Sequence, residues 1–412
     1  MPTKTLIIND PVYGFINIPR GLLCRLVAHP LFQRLERIRQ LGMAPMVYPG
    51  AYHTRKQHSI GALHLMQLAF STLIEKGYFI FDSEIEAAEV AILLHDIGHG
   101  PFSHVLEKEL VRNVSHEYVS QLMMRRLNEE FHGELSMAIS IFQNNYPKPF
   151  LHELISSQLD VDRLDYLCRD SFFTGVREGN IGAARIVRTM DLAGDHIVVD
   201  AKGIYAVENY LMARRLMYWQ VYLHKTALAA EEMLRAILRR ARFVSRTGKW
   251  LFASPALDYF LTTDVSEADF ADAGTGCLER YAALDDSDLI SAIKVWQESD
   301  DSVLSTLAKG LTNRRLFKVE TCGTGNVDER MAEIRHALMR QEHWSEEEAA
   351  FFVKSKSVGN EMYSKTASGI GILMSDGTVK DVSEVSSIIR NDTTSPGDQK
   401  TYIFYPRHLD YV

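Results

Sequence analysis

Apolar residues recur at the three-to-four-residue spacing of helices along most of this chain, and strand-like alternation is confined to short pieces. Leu22, Leu23, Leu26, Val27, Leu31, Phe32, Leu35, Ile38 and Leu41 form one such run. His29-Pro30 splits it, because a residue before proline avoids the helical region. A second helix is predicted from about His53–Gln57 to Gly77, and a third over 84–94. Shorter helices follow at 103–111, 116–130, 134–143, 150–158 and 160–169. One long helix spans 207–245, helices with acidic loops fill 255–318, and two more lie at 328–341 and 345–353. Extended pieces are predicted over 5–18, as a hairpin of 197–200 with 203–206, and in the last sixty residues, around Gly369–Met374 and Thr401–Tyr405. Polar residues 392–400 read as a mobile loop. The pattern predicts a mainly α fold, with a multi-helix core and a smaller C-terminal α+β lobe. The divisions fall at 1–245, 246–325 and 326–412.

Composition changes this picture little. The chain has 412 residues, enough for more than one compact unit, and 46% are hydrophobic and 24% charged. A net charge of −8 argues against nucleic acid or an anionic membrane as a general partner. Four scattered cysteines, Cys24, Cys168, Cys277 and Cys322, read as reduced thiols in a cytoplasmic protein without a zinc ribbon. The first residues carry no signal-peptide pattern, and no apolar run reaches membrane length.

Histidine placement matters more. Nine of the fifteen histidines lie between His53 and His152, which points to a metal or acid–base site there. The chain's chemistry centres on Ala91-Ile-Leu-Leu-His95-Asp96-Ile-Gly98-His99-Gly100-Pro101-Phe-Ser103-His104. An imidazole and a carboxylate stand side by side at a helix end, where Gly98 and Gly100-Pro101 let the turn relax. His58, near another helix start, and Asp162, on a third helix, could complete a divalent-metal ligand set. Asp162, Tyr166 and Asp170 are spaced to share one helical face. Each of these groups alone could equally cap a helix or sit solvated.

At these residues the sequence resembles the HD superfamily of metal-dependent phosphohydrolases, named for its His…His-Asp…Asp ligands. It is closer to the branch of dNTP triphosphohydrolases that includes the SAM- and HD-domain enzyme and the dGTPase-like proteins. Phrases such as Asn9-Asp-Pro-Val-Tyr-Gly14, Pro30-Leu-Phe-Gln-Arg-Leu35, His58-Ser-Ile-Gly61, Ser115-His-Glu117 and Asp160-Val-Asp-Arg-Leu-Asp-Tyr166 carry it over residues 5–240, with fainter likeness beyond. The resemblance implies an HD-domain core and His58, His95, Asp96 and Asp162 as ligands of manganese, iron or magnesium, with zinc or nickel as alternatives. It implies His116 as proton donor oriented by Glu107, and His99 and His104 on phosphate. It assigns Arg55, Arg163 and Arg214 to the phosphates. Tyr166 and Asp170 would grip the phosphate and the 3′ side of the sugar, Gln40 and Leu41 would read the sugar, and Tyr222 would share a pocket with Arg214. The implied reaction hydrolyses a dNTP to deoxynucleoside and triphosphate in a homo-oligomer. Leu223 stands where the branch has a glutamine, and Leu6, Ala28 and Glu36 replace its charged groups for activating nucleotides. The alternatives are another HD phosphohydrolase, acting on a monophosphate, cyclic nucleotide or alarmone, or a non-enzymatic nucleotide sensor.

Overall fold

A computed structural model describes residues 5–102, 105, 109–111, 113–322, 326–360, 369–389 and 398–409. The chain opens with an antiparallel hairpin, β1 (Leu6–Asp10) and β2 (Gly14–Ile18). Asp10 closes its turn by accepting hydrogen bonds from the amides of Val12 and Tyr13. The run 22–41 divides at His29-Pro30 into α1 (Leu22–Ala28) and α2 (Pro30–Gln33). A 3₁₀ turn, Arg34–Arg37, then ends the helical path before the predicted Leu41. There the backbone turns extended, and Arg39 pairs with Thr54 in an isolated bridge.

The central helices are α3 (Arg55–Glu75), α4 (Asp82–Leu94), α5 (His116–Glu130), α6 (Ser136–Phe142), α7 (Pro149–Glu153) and α8 (Val161–Thr174). Helix α3 packs on both α4 and α8, so their apolar residues share one core. Its start is set by Thr54 and Gln57, which form a capping box. Asp160 caps α8 by accepting from the Arg163 amide at 2.7 Å. The helix expected over 103–111 falls largely outside the described residues.

After α9 (Ala183–Thr189), β3 (Met190–Ala193) pairs with β4 (His196–Asp200). The predicted partner of 197–200 was 203–206, but Ile204 begins a helix instead. The turn at Gly194, in left-handed backbone (φ 60), pairs the strand backwards rather than forwards.

The long helix expected over 207–245 is two helices. These are α10 (Ile204–Met217) and α11 (Lys225–Arg246), joined by a π-helical turn, Tyr218–Tyr222. The Leu223 amide bonds the Tyr218 carbonyl at 2.7 Å, and His224 is extended. The wide turn sends both Tyr218 and Tyr222 into the same cavity. Helices α12 (Pro255–Thr262), α13 (Glu267–Ala271), α14 (Cys277–Ala283), α15 (Asp286–Trp296) and α16 (Ser302–Thr312) follow. Strand β5 (Lys318–Cys322), α17 (Val327–Glu342), α18 (Glu346–Ala349) and β6 (Lys354–Asn360) come next.

The last strands are β7 (Gly371–Leu373), β8 (Val379–Asp381) and β9 (Asp398–Tyr405), with α19 (Val382–Val385) between the last two. They do not make one β element. Strand β7 pairs in parallel with β4 and antiparallel with β8, whereas β9 lies between β5 and β6. The loop read at 392–400 lies outside the described residues up to 397; residues 398–400 begin β9. No helix among the described residues is long and apolar enough to cross a membrane.

Candidate metal centre and adjoining cavity

Three helix ends converge. Helix α3 brings His58 from its first turn, α4 delivers His95 and Asp96 just past its end, and α8 brings Asp162 from its first turn. The Nε2 atoms of His58 and His95 lie 3.3 Å apart. Asp162 Oδ1 lies 3.0 Å from the first and 3.5 Å from the second. Asp96 is 3.7 and 3.4 Å from the same two nitrogens.

The far side of each ring is pinned. His58 Nδ1 meets Asp165 at 2.7 Å, and His95 Nδ1 donates to the Ile92 carbonyl at 2.6 Å. These contacts leave both Nε2 atoms for an ion. Asp165 is itself fixed by Arg169, which also pairs with Asp10 of the first hairpin at 2.8 Å. Gly61 is needed here for space: a Cβ would lie 2.0 Å from Asp165 Oδ1.

Gly98 plays a role different from the relaxed turn expected. A Cβ on it would sit 2.3 Å from the His116 carbonyl, so glycine lets α5 pack directly on the turn. Ser120 of α5 then accepts from the Gly98 amide and donates to the His95 carbonyl, at 2.9 and 2.8 Å.

The charges suit a cation. Burial opposes ionisation of Asp162 and Asp96, but His58 and His95 around the first, and His95, His99 and Arg55 around the second, outweigh it and hold both below the usual carboxylate range. Burial opposes a charge on His58, yet its contacts with Asp162 and Asp165 prevail and push it up to about 10. A divalent ion replaces such a proton on binding. Two pinned imidazoles and the Asp162 carboxylate converge closely enough to hold a divalent cation, and Asp96 lies beside them, bonded to Arg55.

Arg55 links this cluster to a cavity of about 440 Å³. It bonds Asp96 at 2.5 Å and lines the cavity with Gln40, Leu41, Tyr166, Asp170 and Tyr222. Both Asp170 oxygens are held at 2.7 Å, by His53 and by the Tyr222 hydroxyl. His99 touches Asp96 at 3.2 Å and stacks on His116, with ring centres 3.8 Å apart. Burial, with Arg55 nearby, depresses His99 to about 3. Arg163 pairs with Asp160, and Arg214 bonds Gln158 at 3.0 Å; neither lines the cavity that Arg55 lines. His104 and Glu107 lie outside the described residues.

A second layer had no role in the sequence reading. Buried Arg34 donates to the carbonyls of Leu284, Ile97 and Tyr281, at 2.8, 3.3 and 3.3 Å. The Tyr281 hydroxyl donates to the Gly98 carbonyl at 3.1 Å. Asp286 accepts from the amides of Arg39 and Phe102, at 3.2 and 3.3 Å. Thus the 281–286 segment grips both the His95–Phe102 turn and the extended segment leading to Gln40. Asp165 had a readable signal in its four-residue spacing to Arg169; the 281–286 contacts run mostly to backbone atoms and had none.

The HD domain family model matches residues 55–170, the span from Arg55 to Asp170, and the HD associated region matches 181–247. The chain is 52% identical to a phosphohydrolase from Bacteroides thetaiotaomicron whose crystal structure it matches with a TM-score of 0.95, over 98% of this chain and all of that one. The chain belongs to the HD-domain phosphohydrolases. The uncharacterized protein YwfO of Bacillus subtilis is 34% identical over 76% of this chain and 71% of its own length. The deoxynucleoside triphosphate triphosphohydrolase SAMHD1 of Danio rerio is 28% identical over 57% of this chain, which spans 45% of that protein. Among HD-domain phosphohydrolases the chain therefore falls in the branch similar to the dNTP triphosphohydrolases.

Proposed function

We propose that the protein is a deoxynucleoside triphosphate triphosphohydrolase. One observation carries this reading: Arg55 joins the ligand cluster to a nucleotide-sized cavity whose wall holds Asp170 between His53 and Tyr222. The likeness to SAMHD1 proteins supports it.

Water adds to the α-phosphorus of a dNTP, the bond from that phosphorus to the 5′ oxygen breaks, and deoxynucleoside and triphosphate leave. His58, His95, Asp96 and Asp162 would hold the divalent ion, with manganese, iron or magnesium the proposed identity. When bound, the ion supplies Lewis acidity and a more acidic water. Arg55 offers positive charge to the polyphosphate beside Asp96. His116, which stacks on His99, would return a proton to the departing 5′ oxygen. Asp170 and Tyr166 accept the 3′ side of the sugar, while Leu41 and Gln40 close against its 2′ face. An unpaired 2′ hydroxyl in such a wall disfavours ribonucleotides. The reading includes a homo-oligomer, a cytoplasmic setting, and neither nucleic acid nor membrane as partner.

The test is a panel of dNTPs and NTPs with Mn²⁺, scored for triphosphate, pyrophosphate and phosphate. Triphosphate from dNTPs alone supports the reading. Orthophosphate as the only product, or full activity in Asp162→Ala, would sink it in favour of another HD phosphohydrolase or a sensor.

A further inference from the structure

Asp170 lines the cavity from near the end of α8. Its two oxygens are held by groups from two other parts of the chain. His53 Nε2 lies on Oδ1 and the Tyr222 hydroxyl on Oδ2, each at 2.7 Å. Tyr222 belongs to the π-helical turn, and His53 to the loop before α3. That loop is itself fixed. The His53 carbonyl accepts from the Gln40 amide at 3.0 Å. The His53 ring stacks on Phe173 of α8, with ring centres 4.6 Å apart and planes 14° from parallel. Gly50 lets the loop touch α8, since a Cβ there would lie 2.6 Å from the Phe173 carbonyl. His53 is buried, and among the described residues Asp170 is the only hydrogen-bond partner of its side chain; Nδ1 is buried with none. A buried polar atom left unpaired costs stability. Phenylalanine would fill the same space and stack on Phe173 without that cost. What histidine adds at this position is the donor to Asp170.

We propose that His53 is a positioning residue: by fixing Asp170 against Tyr222, it makes the enzyme demand a free hydroxyl at the 3′ carbon of its substrate. The terminal torsion of an aspartate leaves the carboxylate plane loosely set, and two donors fix it. Each oxygen keeps a lone pair after accepting one bond. Asp170 therefore meets the cavity as an acceptor alone. It pairs with a hydroxyl and opposes an ether, a carbonyl or a phosphate at the same place. The side chain of His53 spends its hydrogen bond on Asp170 and not on a candidate metal ligand, so its effect falls on the choice between nucleotides and not on the chemical step. This assignment rests on the triphosphohydrolase reading and adds to it the residue behind discrimination at the 3′ carbon.

The test measures kcat and KM, by triphosphate release with Mn²⁺, for each dNTP and its 2′,3′-dideoxy counterpart, in the full chain and in His53→Phe and His53→Gln. The unaltered protein should favour the dNTP by about tenfold or more in kcat/KM. His53→Phe keeps a ring on Phe173 and loses the donor. Its KM for the dNTP should rise by about tenfold with kcat within about threefold, and its values for the dideoxy substrate should stay within about threefold. His53→Gln carries an amide N–H with about the reach of Nε2 and should recover most of the discrimination. Should His53→Phe fail to fold, His53→Asn, whose amide reaches only as far as Nδ1, should show the same loss. Equal losses on both substrates, no loss on either, a His53→Gln protein as impaired as His53→Phe, or no discrimination in the unaltered protein would overturn the assignment while leaving the triphosphohydrolase reading standing. No triphosphate from any dNTP in the unaltered protein would overturn that reading, and this assignment with it.

Discussion

The turn carrying His95 and Asp96 is held from two sides, and the two are built from different material. On the α3 and α8 side the contacts run between ionisable side chains: His58 with Asp162 and Asp165, Asp96 with Arg55, Asp165 with Arg169. On the α14 and α15 side, Arg34, Tyr281 and Asp286 bind backbone carbonyls and amides. The first side defines what the site can bind. The second defines where the turn lies relative to Gln40 and the cavity. Removing groups from the first should therefore abolish chemistry while sparing the fold, and removing groups from the second should do the reverse.

The largest effect is expected at Asp162. Asp162→Ala removes a ligand, and phosphohydrolase activity should fall by about a thousandfold or more, with metal content falling in parallel by elemental analysis. Bound metal at the level of the unaltered protein would break the comparison at its strongest point. Arg34→Met comes next. It leaves three buried carbonyls short of a donor and should cost about 4 kcal/mol, seen as a lower Tm or denaturant midpoint. Metal affinity in the folded fraction should stay within about threefold, because no ligand is touched. A loss of metal without a loss of stability would merge the two sides.

Asp286 sharpens the contrast through pH. Burial pushes its pKa up to about 6, although the amides of Arg39 and Phe102 and the Arg39 guanidinium 3.8 Å away pull down; the neighbouring Asp285 adds to the rise. A carboxyl whose folded pKa lies above its unfolded value binds more protons in the folded state. Its contribution to stability is fully present below about pH 4 and is lost as pH rises through about 6. That contribution is on the order of 1–3 kcal/mol. Asp286→Asn should flatten this part of the stability profile, measured by denaturant unfolding from pH 4 to 7. An unchanged slope would show that Asp286 is not the group responsible. The smallest expected effect is at Asp165→Asn, which weakens the grip on His58 without removing a ligand. Metal affinity should drop by about 10- to 100-fold in a titration at neutral pH. A change in stability with no change in affinity would move Asp165 to the structural side.

This division also explains what could be read in advance. His58, His95, Asp96 and Asp162 are recognisable as candidate ligands because metal ligands must be of a few chemical types, and their three helices were marked by apolar spacing and by caps. The mainly helical character and the split at His29-Pro30 were readable for the same local reasons. The break of 207–245 was not, since π-helical Tyr218–Tyr222 has good helix-forming neighbours and turns only where its tyrosines meet a cavity. The pairing of β4 with β3 and β7 was also hidden, because a strand's partner is chosen by packing rather than by its own pattern.

By itself, the amino-acid sequence determined the helices, the ligand types and the membership that follows from them, because propensity and side-chain chemistry are carried residue by residue. Only the tertiary structure decided that Arg34, Tyr281 and Asp286 hold the turn that carries His95 and Asp96. Those contacts join residues as much as 250 positions apart, as between Arg34 and Leu284, and many end on backbone groups that every residue possesses. Such groups carry no mark in a sequence until folding brings them together.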